Sequence, residues 1–145
     1  MSSNGNRLRE MARRAEREGG QAAALAMAKA GRDEIRRTLA RRSHAPRTPT
    51  PSPPGQPPAK ISGRLRDKVT VTSARQIGAG RWMAAAGPDG VVYARIQELG
   101  GVTGRNHMTV IPPRPYMRPA VREVRESGRA TEAAVAAFWR AVHGR

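Results

Sequence analysis

Small and apolar residues recur every three or four positions along the first part of the chain. Leu8, Met11, Ala15, Ala22, Leu25, Ala26, Ile35 and Leu39 fall near one stripe. That spacing predicts a helix over 6–42 with a shallow, alanine-rich face for close packing. Asn4 or Asn6 is placed to cap it. Glu16, Glu18, Asp33 and Glu34 stand among arginines at spacings that allow pairing along the helix surface. Gly19-Gly20 and Gly31 interrupt the pattern, and a break or kink is expected near 19–20. The periodicity ends in SHAPRTPTPSPPGQPPA, residues 43–59. Proline at that density excludes helix and central strand and predicts an extended Pro-rich loop. TPTPSPP within it has the look of an SH3-type ligand, but a linker explains it more simply.

Beyond the loop the pattern changes. VTVT at 69–72 places β-branched residues in a row and reads as a strand. A second strand is expected from Ile77 to Ala86 after a short turn, so that 61–87 reads as a hairpin or meander, and GPDG, 87–90, is a turn signal. VVYARIQELGG, 91–101, puts Val92, Ile96 and Leu99 on one helical face, with a stop at Gly100-Gly101. Residues 102–110 read as a loop leading into a short extended run. In IPPRPYMRPA, 111–120, the prolines fix φ. Pro119 can open a helix at its first turn, where a missing N–H is no loss. That helix ends at Gly128, and Thr131 resembles the N-cap of a last helix. Val135, Phe138, Trp139 and Val142 form its apolar face.

The elements define an α+β chain: a small, mainly antiparallel sheet packed by helices, with a long N-terminal helix and a Pro-rich loop. It is read as a single domain over 1–145, with an N-terminal helix (1–42), the loop (43–59), an α+β core (60–127) and a C-terminal helix (128–145). Composition adds a constraint. Among 145 residues there are one Phe, two Trp and two Tyr, so there is little large apolar surface to bury, and neighbouring subunits are an expected source of stability. The net charge of +16 is nearly all arginine. It fits either a surface facing nucleic acid or a compositional bias.

Chemistry is sparse. No cysteine is present, which excludes disulfides, thiolate metal sites and a cysteine nucleophile. His44, His107 and His143 have no metal-ligand spacing. Acids flanked by arginine are suited to ion pairs, not to general acid catalysis. Ser62, Ser73 and Ser127 lack a nucleophile elbow, and GAG is not followed by a phosphate-loop lysine. The chain is expected to have no catalytic, metal or cofactor site. No apolar run approaches the roughly 18 residues of a membrane span, and MSSNGNRLREMARRAEREGG lacks the apolar stretch of a signal peptide. Zinc-finger and stacking-aromatic signatures of nucleic-acid binders are absent as well.

Three segments in order carry a resemblance. Ser62, Gly63, Leu65 and Val69 follow the Pro-rich lead; Tyr93, Ala94, Glu98 and Gly100 come next; then Pro113, Arg114, Pro115, Tyr116, Met117, Pro119 and Ala120 enter a helix. Their order and spacing, over roughly residues 5–127, resemble the tail-completion or tail-to-head joining proteins of tailed bacteriophages, the neck or virion-morphogenesis family. Ser62 stands where that family usually has Thr, Tyr116 where it has Phe, and Gly101 where Thr is common. The 131–145 helix lies outside the matched part.

The resemblance implies a structural virion protein, not an enzyme. It implies a homo-oligomeric ring, commonly hexameric, in the neck between head connector and tail tube, around the channel for genomic DNA. The expected partners are other neck proteins, with no membrane, and the expected location is the virion, after assembly in the host cytoplasm. A tail terminator, a head-closure protein and a chromatin-like nucleic-acid binder are the alternatives. Within this frame Tyr93, Ile96 and Leu99 are expected to pack the short helix on the sheet. Glu98 is expected to pair with Arg114 or Arg118, within or between subunits. Tyr116 and Met117 anchor the strut, and Tyr93, Glu98, Arg114, Tyr116, Met117 and Arg118 are the interface candidates. The loops 43–59 and 101–110 are expected to order against adjacent rings.

Overall fold

Helix accounts for nearly all of the N-terminal stretch in the computed structural model, which describes residues 3–42 and 52–144. Residues 43–51, and with them His44 and most of TPTPSPP, lie outside the described residues. Among the described residues the fold is α+β: a long N-terminal helix, four further helices or helical turns, and short antiparallel ribbons packed with them. Two compact units interleave along the chain, Met1–Ala30, Val71–Ala86 and Ser127–Arg145 in one, Gly31–Thr70 and Gly87–Glu126 in the other.

In the first unit, α1 (Ser3–Arg14) runs through a π-helical turn, Ala15–Gly19, into α2 (Gly20–Ala40). Asn4 and Asn6 lie inside α1 and do not cap it. The glycine pair does not break the helix either. Gly20 keeps right-handed helical backbone, and its N–H reaches back to the Ala15 carbonyl, the five-residue step of a π turn. The glycines are there for close approach. A Cβ on Gly19 would sit 2.7 Å from the Phe138 ring, and one on Gly20 would sit 2.5 Å from the Trp82 indole. The Trp82 Nε1–H also donates to the Glu16 carbonyl at 2.9 Å. The last helix, α6 (Arg129–His143), buries Ala130, Ala134 and Val142. Gly128, in the left-handed region, is its N-cap, and Thr131 lies inside the helix. Its expected apolar face is split: Val142 is buried, whereas Val135 and Trp139 are exposed.

The second unit is cored by the last turns of α2. Ile35 and Leu39 are buried with Val69, Ala94, Tyr116 and Ala120, so the sequence stripe is real at its C-terminal end, while Leu8 and Met11 at its start are exposed. Glu34 is buried on the same turns, and its carboxylate meets Arg37 and, at 3.5 Å, Arg41. Arg36 reaches out of the helix to the Val69 carbonyl at 2.9 Å. After a single turn, α3 (Arg64–Asp67), the chain enters β1 (Val69–Val71).

Among the described residues, six short strands make three two-stranded ribbons, β1 with β4 (Ala86–Pro88), β2 (Arg75–Gly78) with β3 (Arg81–Met83), and β5 (Gly101–Thr103) with β6 (Thr109–Ile111). The strand expected at 77–86 is interrupted because Gly78-Ala79-Gly80 folds back on itself, with Gly80 at φ 62°. The resulting antiparallel hairpin has a bulge between Gln76 and Gly78. GPDG is not a simple turn: Gly87 and Pro88 extend β4, and the Asp89 N–H reaches the Lys68 carbonyl at 2.9 Å. The loop expected at 102–110 contains β5, β6 and a tip where His107 is the one non-glycine residue with positive φ, among the described residues.

Candidate functional site

The interface candidates collect around one junction in the second unit, where α4 (Ala94–Leu99) meets the start of α5 (Met117–Glu126). Glu98 is its centre. One carboxylate oxygen accepts the backbone N–H of Tyr116 at 2.7 Å and of Met117 at 2.9 Å; the other accepts the Arg118 N–H at 3.1 Å. These are orphan donors at the head of a helix, and a carboxylate there also answers the helix dipole. The pairing of Glu98 with Arg114 or Arg118, expected within or between subunits, does not form within the chain: Glu98 binds the Arg118 backbone N–H, and Arg114 has other partners. The carboxylate also explains why α5 opens at Met117, two residues before Pro119.

The polyproline strut leading to this cap is fixed along its length. The Arg114 N–H donates to the Gln97 carbonyl at 2.7 Å, and Arg114 Nε donates to the Ser52 carbonyl at 2.9 Å. The Gly55 N–H donates to the Pro113 carbonyl at 2.8 Å. Residues 52–55 of the Pro-rich loop are therefore fastened to the strut. Gly100, at φ 71°, lets the chain pass: a Cβ there would stand 2.8 Å from the Pro113 nitrogen and 2.9 Å from the Ile111 carbonyl.

Tyr116 anchors the junction. Its ring is 1 % exposed, and its hydroxyl donates to the Ala94 carbonyl at 3.2 Å. Burial, with the Glu98 carboxylate and Tyr93 adding to it, pushes the phenol from 10.0 up to about 12. Met117 is half-buried and Arg118 is exposed. The expectation that Tyr93, Ile96 and Leu99 pack the short helix is corrected. Tyr93 and Leu99 are exposed and Ile96 is half-buried; the residue α4 buries is Ala94, whose carbonyl accepts the Tyr116 hydroxyl.

Beside the junction lies a cleft of about 290 Å³, walled by Leu39, Ile61, Leu65, Tyr93 and Gln97. Lys60, Arg64 and Arg66 also line it. Such a cleft suits an apolar side chain with an acidic neighbour. Among the described residues no three His, Asp or Glu side chains gather to hold a metal, and no helix is long and apolar enough to cross a membrane.

Reading the sequence alone misses Ser52 and Gln97, which act through backbone carbonyls and so carry no side-chain signature. A comparison of the chain with protein-family models, curated proteins and solved structures gave no match in any of the three.

Proposed function

We propose that the chain is a structural subunit of a tailed-phage neck. In this reading it forms a ring, a hexamer, that completes the tail and joins it to the head connector around the DNA channel. One observation carries the proposal. The two later segments behind the family resemblance, YARIQELGG and IPPRPYMRPA, bind each other through Glu98, so their co-occurrence in sequence has a physical reason. The cap holds a rigid strut and leaves Tyr93 and Arg118 facing out beside it. A joint between rings needs such a pre-organised, cationic edge.

Charge reversal at that edge tests the reading. Arg118→Glu leaves every hydrogen bond of the cap in place and is expected to give soluble, folded subunits that fail to join heads to tails. Arg114→Glu is expected to block joining as well, with some loss of stability because its Ser52 contact goes. Complementation of a deletion phage, with electron microscopy of the particles, reads the result. Infectious particles from Arg118→Glu, or purified virions lacking the protein, would overturn the assignment.

A second reading, a basic nucleic-acid-binding protein, draws on exposed arginines at Arg7, Arg9 and Arg13 of α1 and at Arg118, Arg122 and Arg125 of α5. It expects monomers or dimers that bind DNA at about micromolar affinity or tighter, with no ring in electron micrographs.

A further inference from the structure

The outward face of α6 leaves two large apolar residues, Val135 and Trp139, uncovered in the first unit. Its inner face is committed: Ala130, Ala134 and Val142 are buried, and Phe138 sits against Gly19. On the other side Glu132, Val135, Ala136, Trp139, Arg140 and His143 are all exposed. They follow one another at steps of three, one, three, one and three, which makes one continuous stripe along a helix. Trp139, one of two tryptophans in the chain, is 52 % exposed and Val135 is 51 % exposed. The indole is already positioned, stacked on the His143 ring at 5.6 Å and 21°. It therefore loses little side-chain entropy on being covered.

We propose that this stripe pairs, antiparallel, with the same stripe on a second copy of the chain. Its own order argues for that occupant. The acid, Glu132, stands at one end, and the cationic or protonatable residues, Arg140 and His143, stand at the other. Turned end for end about a twofold axis between residues 137 and 138, the stripe matches itself. Glu132 comes opposite His143 of the second copy, Val135 opposite Arg140, and Ala136 opposite Trp139.

Each match has a physical content. Ala136 is the small residue that makes room for an indole. The Arg140 stem covers Val135, while its guanidinium reaches, one turn on, to Glu132 of the second copy. Parallel pairing would set acid on acid, arginine on arginine and indole on indole, and would align the helix dipoles. A contact of this kind is isologous and closes at two copies. It is separate from the contacts that would build a cyclic ring, and it does not rest on the neck reading. One helix pair lies at the small end of stable interfaces, so dissociation on the order of micromolar or weaker is expected.

The test is sedimentation velocity of the full chain across a concentration series. The expected result is reversible twofold pairing, of single chains or of rings, that Trp139→Ala weakens at least about tenfold, as for a central anchor of a small interface. Far-ultraviolet circular dichroism should stay unchanged, because the side chain is exposed. Glu132→Arg and Arg140→Glu should each weaken the dimer, and the double variant should restore it. A chain that stays monomeric at the highest concentration overturns the proposal. So does an oligomer indifferent to Trp139→Ala, or a charge swap whose double variant is no better than its singles. Binding of Trp139 to an acidic protein in place of a second copy would appear as that same monomer, and counts against the proposal.

Discussion

Three backbone donors converge on one carboxylate at Glu98, and the consequence can be measured at two residues. Hydrogen bonds to a charged group are worth about 1.5–3 kcal/mol each, and a neutral amide offers less. Glu98→Gln keeps the shape and removes the charge. It should lower unfolding stability by about 1–3 kcal/mol in urea titrations, with α5 losing order first. Tyr116 gives the second readout. Its folded pKa is raised from 10.0 to about 12, so the folded state holds the phenolic proton more tightly than the unfolded chain does. The sign follows: this contribution to stability is fully present below pH 10 and is lost as pH rises through 12. Alkaline unfolding followed by tyrosinate absorbance should show that window in the wild type. It should narrow in Glu98→Gln, since the carboxylate is one cause of the shift, and vanish in Tyr116→Phe. An unchanged window in Glu98→Gln would mean that burial and Tyr93, without the carboxylate, set the phenol.

At the scale of elements, the glycine pair in the long helix makes the sharpest case. In a solvated helix, Gly→Ala stabilises by about 1 kcal/mol. Here the same change at Gly19 drives a methyl into the Phe138 ring, and at Gly20 into the Trp82 indole. Each should destabilise by about 1–3 kcal/mol, the usual cost of overpacking. Combining Gly19→Ala with Phe138→Leu should recover part of the loss, as a coupled pair does; strict additivity would show that the notch is not a packing device. The pair also shows where sequence reading reaches its limit. Gly19-Gly20 was visible as an anomaly, but a break and a docking notch look alike until the aromatic that fills the notch is known. Other elements were readable because their signal is local. The stripe at Ile35 and Leu39, the stop at Gly100 and the end of α5 before Gly128 depend on residues within a turn or two. A hairpin or meander is legible over 61–87, but the bounds of β2 and β3 and the β5–β6 pairing are not, because strands of three or four residues leave too little alternation to detect. Glu98 stands out in the sequence as a residue, but its partners within the chain do not. Its acceptors' mates are N–H groups 18 to 20 positions away, and backbone donors look the same at every position.

For the whole molecule, charge decides between the two functional readings, and part of the charge is already occupied. Arg36 and Arg114 serve carbonyls, and Arg37 and Arg41 serve the buried Glu34. The cations left at the surface include a ridge on α5, where Arg118, Arg122 and Arg125 follow at helical spacing and are exposed. A channel wall needs DNA to slide past it, so its cations should be felt as a diffuse field and not as a grip. The neck reading therefore expects weak duplex binding at physiological salt that disappears as salt rises. Each phosphate contact adds about 0.9 to the slope of log affinity against log salt. Replacing Arg122 and Arg125 with alanine should flatten that slope by about two if the ridge meets DNA, and should leave it untouched if the ridge meets protein. Fluorescence anisotropy on random-sequence duplex across a salt series separates these outcomes. A monomer binding at about micromolar affinity or tighter, with a slope of six or so contacts, would transfer the assignment to the nucleic-acid reading. Weak binding by a ring would leave Arg122 and Arg125 as part of a wall that DNA passes without holding.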